Sequence, residues 1–424
     1  MSLLADLLAT VFERATRRTP GENWDERPVE ELVSELIGNS GEVRGMVLAR
    51  QILDRYAAMD EVGKRAFFRF LASDMDIDPD RVRSTLADYE QAPSKASYRA
   101  FMAAAEPARQ ELVRRLNQVP GATGNLVTMR RDLLEMARDD DTLAAIDLDF
   151  RHLFASWFNR GFLVLRPINW ESPAHVLEKI IAYEAVHAID SWEELRRRLQ
   201  PADRRCFAFF HPTMADEPLI FVEVALTKGQ SSSIQQILAD EREILAAGEA
   251  DTAVFYSISN CQSGLAGVSF GNSLIKQVVQ DLSHELPELT TFITLSPIPG
   301  LAQWLEAQGI GAGIDPAALV QLAAHYLIDV KRPDGMPVDP VARFHLGNGA
   351  TVHAVHPGAD TSVNGMAQSH GAMVNYLYDL SAISHNHEAF AARKQVAAST
   401  EVRALARAGM KMDRKEPVSG QSAV

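Results

Sequence analysis

The chain has 424 residues, enough for two or three domains with full cores, and its 46% apolar and 23% charged residues are ordinary for a globular protein. A formal net charge of −14 argues against general nucleic-acid binding, which needs a basic face, but leaves room for a local basic patch that holds a small anion. Two cysteines, Cys206 and Cys261, are too few for a disulfide framework or a cysteine zinc site, and they fit a reducing compartment.

Taken in chain order, residues 1 to about 160 read helix after helix. Leu3–Thr16, Val29–Ile37, Val43–Ala58, Asp60–Ala72, Pro79–Tyr89, Ser97–Leu116 and Leu126–Ala137 each carry apolar residues three and four apart. Acidic residues such as Asp60, Glu61 and Asp78 stand near helix starts, where the helix dipole favours them. No catalytic constellation occurs in this half, and charged pairs such as Arg114-Arg115 read as solvated helix faces. A helical bundle used for assembly is the reading, with its apolar stripes as core or subunit interface.

From about Phe162 the pattern changes. Cys206–Phe210, Leu219–Thr227, Thr252–Ser259 and Thr290–Leu295 are apolar runs of strand length, rich in aromatic and β-branched residues. Helical patterns intervene at Ala174–Ile181, Trp192–Leu199, Ile234–Ala247, Asn272–Leu286 and Ala317–Val330. The fold class is therefore α+β, a helical bundle at 1–160 followed by a mixed α/β domain at 161–424, with a polar tail after about residue 412 expected to be disordered. The longest membrane candidate, Leu219–Leu226, is too short and is interrupted by Glu223. The first residues lack a basic region, Asp6 and Glu13 sit badly in a transit peptide, and the last four are no address signal. A cytoplasmic protein with no membrane partner is the expectation.

Three segments carry chemistry. Gln262-Ser263-Gly264-Leu265-Ala266-Gly267-Val268, continuing to Gly271, comes after a strand and precedes a helix, the setting in which backbone amides cradle phosphate. The plain alternative is that its glycines permit only a tight turn and close packing. Phe292 to Gly300 reads as a buried strand delivering Thr294 and Ser296 into a proline-locked turn. A strand hydroxyl is otherwise bonded to neighbouring backbone. Arg343 to Ala350 places His345 at the end of a short apolar run before Asn348-Gly349, which by itself is also a hairpin-turn signal. An imidazole and a hydroxyl held on rigid backbone suit proton chemistry at the reactive end of a phosphate-bearing substrate.

Other residues weigh less. His353/His356 and His385/His387 have no obvious third ligand nearby and read as surface residues. Glu223, inside an apolar strand, needs a partner or a function, unless it faces solvent or pairs with Arg204 or Arg205. Tyr376 and Tyr378 stand either at a pocket wall or in the core with satisfied hydroxyls.

The second half closely resembles malonyl-CoA decarboxylase. The matching segments are Trp170–Pro173, Glu184–His187, Glu217–Leu219, Glu223–Thr227, Phe255–Ser259, Gln262–Gly271, Leu295–Gly300 and Phe344–Ala350, in order over most of residues 160–380. The first half resembles that family's N-terminal helical domain in pattern more than in motif. The resemblance implies a catalytic domain like the GCN5-related N-acetyltransferase (GNAT) fold, converting malonyl-CoA to acetyl-CoA and carbon dioxide. It implies that residues 262–268 bind the CoA pyrophosphate, that His345 is the catalytic histidine, and that Thr294 is the catalytic hydroxyl with Ser296 as its rival, since animal members carry Ser-Leu-Ser-Pro there. Tyr376 is expected to join the substrate-binding set. Ala266 stands where acetyltransferases of this fold carry Arg or Gln, so backbone contacts must suffice. No metal, biotin or other organic cofactor is required. A CoA-dependent acyltransferase and a non-catalytic CoA-binding assembly protein are the competing readings, and a homo-oligomer, dimer or tetramer, is expected.

Overall fold

The computed structural model describes residues 25–38, 41–268, 274–311 and 313–413. The expected helix Leu3–Thr16 and all of the tail from residue 414 lie outside them. The described residues fall into two compact units.

The first unit comprises the helical region up to Leu163 together with residues 211–215 and 262–270. Its helices are α1 (Val29–Ile37), α2 (Glu42–Ala58), α3 (Glu61–Ser73), α4 (Pro79–Gln91), α5 (Lys95–Ala105), α6 (Ala108–Leu116), α7 (Ala122–Met136) and α8 (Ala144–Trp157). Local sequence sets several starts. Asp60 accepts the Gly63 amide at 2.8 Å ahead of α3, and Asp78 accepts the Asp80 amide at 3.0 Å, with Pro79 at the first turn of α4. One continuous helix over Ser97–Leu116 is not what forms. Pro107 has no N–H to give and disfavours helical geometry at Glu106, so α5 stops at Ala105 and α6 restarts after the proline. Tyr56, Phe67, Phe68, Leu126, Leu133, Phe150 and Phe154 are among the buried residues of this unit, with Asp132 receiving Lys64 at 2.7 Å.

The second unit is a mixed sheet flanked by helices. Its elements begin with β1 (Val164–Ile168), α9 (Ala174–Tyr183), α10 (Trp192–Leu199), β2 (Arg204–His211), β3 (Met214–Thr227), α11 (Ile234–Leu238) and β4 (Thr252–Asn260). They continue with α12 (Leu274–Glu285), β5 (Thr291–Thr294), β6 (Ser296–Pro297), α13 (Leu301–Ala307), α14 (Pro316–Ile328) and α15 (Pro340–Gly347). Last come β7 (Thr351–His356), α16 (Val363–Ser369), β8 (Met373–Leu377), α17 (Ile383–Arg393) and α18 (Thr400–Asp413). The strand order is β1-β2-β3-β4-β5-β8-β6, with β7 on β8. β3 and β4 pair antiparallel, β4 and β5 parallel, and both β5 and β6 meet β8 antiparallel. Thr294 and Ser296 therefore stand where the chain passes from β5 to β6 against β8.

α9 and α10 cover part of the sheet through Val176, Leu177, Ile180, Leu195 and Leu199, packed on Ala208, Phe210 and Phe221. A second core joins Ile234 and Ile237 to Val254, Ile293 and Met373. The helix expected over Ile234–Ala247 ends at Leu238, because Asp203 captures the residues after it. Arg242 donates to Asp203 at 2.9 Å and the Leu245 amide donates to it at 3.2 Å, a tertiary claim that overrides local propensity.

Candidate active site

The short apolar run that carries His345 is a helix, α15. Asp339 caps this eight-residue helix by accepting the Ala342 amide at 2.7 Å, and Pro340 fills its first turn. Asn348-Gly349 is the helix exit rather than a hairpin. Gly349 has a φ of 84°, and a Cβ there would meet the Ile383 carbonyl oxygen at 2.2 Å, so only glycine fits.

The ring of His345 is buried and bonded on both sides. Its Nδ1 is 2.8 Å from the Tyr378 hydroxyl, and its Nε2 is 3.2 Å from the Ser296 hydroxyl. Ser296 in turn donates to the Thr294 hydroxyl at 2.8 Å. That last bond fixes the others. A serine has one proton to give, so Nε2 must carry the hydrogen that Ser296 Oγ accepts, and Nδ1 accepts from Tyr378. The result is a directed chain from the Tyr378 hydroxyl through the imidazole and Ser296 to Thr294, which also accepts the Tyr376 amide at 3.1 Å. Burial pushes the His345 pKa down to about 3, and the phenols of Tyr376 and Tyr378 are held well above their ordinary value for the same reason. The ring is neutral.

A cavity of about 240 Å³ opens on this chain. Ser296 and His345 line it, with Pro297 beside the serine, and Pro340, Val341 and Phe344 from the histidine's own helix. Val186, Phe255, Tyr256, Ile258 and Asn260 complete the wall. Thr294 does not reach it. The threonine is fully buried and is hydrogen-bonded to Ser296 rather than to His345. Tyr376 is also set back. Its ring stacks on the imidazole with centroids 4.4 Å apart, and its hydroxyl is sealed without a partner.

Polar residues under the wall hold it in shape. Glu184 accepts the Val186 and His187 amides at 2.8 and 2.9 Å and the Ser257 hydroxyl at 2.7 Å, so one carboxylate fixes the loop that presents Val186. Glu223 is completely buried, away from solvent, and forms its ion pair with neither Arg204 nor Arg205. Its partner is Arg198 at 3.2 Å, and burial still pushes its pKa up to about 8. Nothing in the sequence marks Arg198 as that partner, because the pairing spans two elements. Tyr378 is legible there only as a nearby phenol, and the motif signal lies in Phe344–Ala350 alone.

The Gly-rich segment forms a 3₁₀ turn over Ser263–Leu265. The Leu265, Ala266 and Val268 amides donate inside the segment, to Gln262, Ser263 and Leu265. Gly267 has a φ of 72°. Gly264 is pressed against α7, where a Cβ would stand 1.9 Å from the Val127 carbonyl oxygen, and Arg130 donates to the Gly264 carbonyl at 2.8 Å. The rest of the segment and the expected start of its helix at Asn272 lie outside the described residues. Three of the four paired histidines find ordinary partners: His353 meets Gln230 at 3.0 Å, His356 meets Asn375, and His387 meets the Gly347 carbonyl at 2.6 Å. Among the described residues no group of three or more His, Cys, Asp or Glu is placed to hold a metal ion, and no helix is long and apolar enough to cross a membrane.

Residues 161–315 and 312–416 match the malonyl-CoA decarboxylase C-terminal domain, and residues 76–158 match the corresponding N-terminal domain. The mitochondrial malonyl-CoA decarboxylase of Anser anser anser is 34% identical over 408 residues, covering 82% of this chain and 81% of its own. That of Mus musculus is 32% identical over 416 residues, covering 82% and 83%. The crystal structure of malonyl-CoA decarboxylase from Rhodopseudomonas palustris superposes with a TM-score of 0.84 at 48% identity, over 89% of this chain and 98% of that one. The enzyme from Agrobacterium vitis gives 0.83 at 49% identity, over 89% and 99%.

Proposed function

The chain belongs to the malonyl-CoA decarboxylase family and is a carboxy-lyase that converts malonyl-CoA to acetyl-CoA and carbon dioxide, and from that premise we propose that His345 and Ser296 carry the chemistry. The observation behind this is the directed hydrogen-bond chain whose two central members, the His345 imidazole and the Ser296 hydroxyl, line the cavity. Loss of carbon dioxide leaves an enolate on the thioester oxygen, and the reaction consumes one proton at carbon. Donors held at the site stabilise the developing charge. The Nε2–H of His345 and the hydroxyl of Ser296, which otherwise bond along the chain to Ser296 and Thr294, are those donors when they turn to the thioester oxygen. Burial alone keeps the ring neutral, but an anionic malonyl group beside it favours the protonated form, so the proton that carbon needs is drawn in with the substrate. Thr294 acts one step back, orienting Ser296. Tyr378 orients the ring from Nδ1, and Tyr376 supports its face.

Residues Gln262 to Val268 are assigned to the diphosphate of CoA, an assignment supported by the motif and by the backbone conformation that Gly264 and Gly267 permit. The parts divide near residue 160, with assembly into a homo-oligomer assigned to the helical part, where α4 and α5 leave Leu86, Tyr98 and Met102 exposed. A cytoplasmic site of action is the reading for this chain, beside the mitochondrial names of its animal relatives. The direct test is mass analysis of malonyl-CoA incubated with the protein, with and without amines. Acetyl-CoA and carbon dioxide in equal amounts support the reading, and acylated amine would instead mark an acyltransferase.

A further inference from the structure

Asp339 is completely buried, yet it is a carboxyl group that the chemistry above does not use. It stands six residues before His345 at the head of α15. One of its oxygens accepts the Ala342 amide at 2.7 Å. The other, Oδ2, is sealed from solvent without a partner at bonding distance, although the amides of Val341 and Gly300 turn toward the carboxyl group. Gly300 closes the turn that begins at Ser296 and Pro297, and it is pinned from behind, since a Cβ there would meet the Tyr326 hydroxyl at 2.4 Å. One side chain therefore faces backbone amides from both polar walls of the cavity, the wall that carries Ser296 and the helix that carries His345.

We propose that Asp339 is a positioning residue that ties these two walls together, setting the reach from His345 Nε2 to Ser296 Oγ, and that it does so only as the carboxylate. The inference rests on the assignment of His345 and Ser296 as the working pair. A carboxylate is acceptor-only and can take amides from both walls, whereas a protonated acid gives up part of that capacity and an amide side chain presents N–H to N–H. The groups facing Asp339 are few: Arg343 on its own helix, Tyr326 on α14 and Tyr376 on β8. Arg343 spends its guanidinium on the Pro337 and Val338 carbonyls, at 2.8 and 2.6 Å. Burial, only partly opposed by these amides and by Arg343, pushes the Asp339 pKa up to about 6. In the free enzyme His345 lies near 3 and titrates far below that window. The acid limb of kcat/KM, which reports the free enzyme, therefore belongs to Asp339 and not to the catalytic imidazole.

The experiment is the pH profile of kcat and of kcat/KM for the full chain and for Asp339→Asn, Asp339→Glu and His345→Asn, between pH 5 and 8. The full chain is expected to lose kcat/KM on acidification with a midpoint near pH 6. Asp339→Asn should lose about tenfold to a hundredfold in kcat at pH 7.5 through misplacement of the pair, with KM moving less, and its kcat/KM should no longer fall between pH 7 and 5. Asp339→Glu, which keeps the charge, should recover part of the turnover and a limb with a shifted midpoint. Thermal melting separates position from simple stability, because Asp339→Asn is relieved of a charge to bury but faces N–H with N–H, so its melting point at pH 7.5 should move little while kcat falls. An acid limb unchanged in Asp339→Asn, or full kcat in that variant, overturns the proposal. If Asp339→Asn does not fold, an Asp339→Glu protein with native kcat and an unshifted midpoint overturns it instead. His345→Asn keeps the two readings apart, since full turnover there removes the working pair and leaves the limb of the native chain still measurable.

Discussion

His345 is worth most to the enzyme where it is least comfortable in the fold. A buried imidazole with a pKa near 3 takes up its proton far less readily than in the unfolded chain, where the ordinary value is 6.5. The unfolded chain therefore holds the extra proton between those values, and stability falls as pH drops below about 6.5. Asp339 acts in the opposite sense, because the folded chain holds its proton between pH 6 and the ordinary 3.8. His345→Asn should accordingly lose less melting temperature than the native chain on acidification from pH 6.5 to 4.5, as calorimetry would show. Its turnover should fall by roughly two to four powers of ten at little change in KM. Near-native turnover in a folded His345→Asn protein would remove the histidine from the chemistry. The two hydroxyls separate in the same assay. Ser296 meets both the imidazole and the cavity, so Ser296→Ala should cost more than Thr294→Val, while Thr294→Ser should keep most activity. The reverse order would return the leading role to Thr294. From the motif alone the two are indistinguishable, since alternation on a strand puts residues two apart on one face. Only the passage from β5 to β6 shows which of them is covered.

At the scale of elements, the informative failures are short helices. α15 has a complete start signal, Asp339-Pro340, but its Phe344-His345-Leu346 run looks like a strand and its eight residues are too few to show a period. The central strands and most of the longer helices are legible because many residues vote together, although α8 and α18, at 14 residues each, have no counterpart among the expected helices. The buried pair beneath the cavity is not, because Arg198 on α10 and Glu223 on β3 meet only after the helix packs on the sheet. This pair makes a defined prediction. Arg198→Met leaves Glu223 sealed without a partner and should lower unfolding stability by about 3–5 kcal/mol, whereas the double change Arg198→Met with Glu223→Leu should recover much of it. Urea unfolding of the single and double variants measures the difference, and equal losses in both would show that the pair does not act as a unit. The Gly-rich turn makes another. Gly264→Ala places a methyl group 1.9 Å from the Val127 carbonyl oxygen, so the turn must leave α7. The expected outcome is a raised KM for malonyl-CoA with kcat changed less. An unchanged KM would separate this turn from CoA binding.

For the whole molecule the open quantity is how many copies work together. The helical unit is not a free-standing appendage of the sequence, because residues 211–215 and 262–270 belong to it. Cutting the chain near Phe162 would strip the Gly264 turn of Val127 and Arg130, so a truncated protein confounds assembly with the loss of its own packing. Surface changes on the hairpin of α4 and α5 avoid that difficulty. No residue of α4 is buried, and only Ala104 is buried on α5. The two helices nevertheless keep an apolar set, with Tyr89 and Tyr98 in ring contact at 5.8 Å and Leu86, Tyr98 and Met102 open to solvent. Helices this exposed have little packing of their own to hold them, which makes a second copy of the chain the natural cover for that face. On that reading, closed symmetry would give a dimer or a tetramer. Leu86→Glu combined with Met102→Glu replaces two exposed apolar residues with charges and touches no buried position. Light scattering at micromolar concentration should show the full chain as an oligomer and this variant as a smaller species, with helix content and the His345-dependent activity retained. A native chain that runs as a monomer defeats the assembly reading outright. A variant that stays at the native size moves the interface to another face of the molecule.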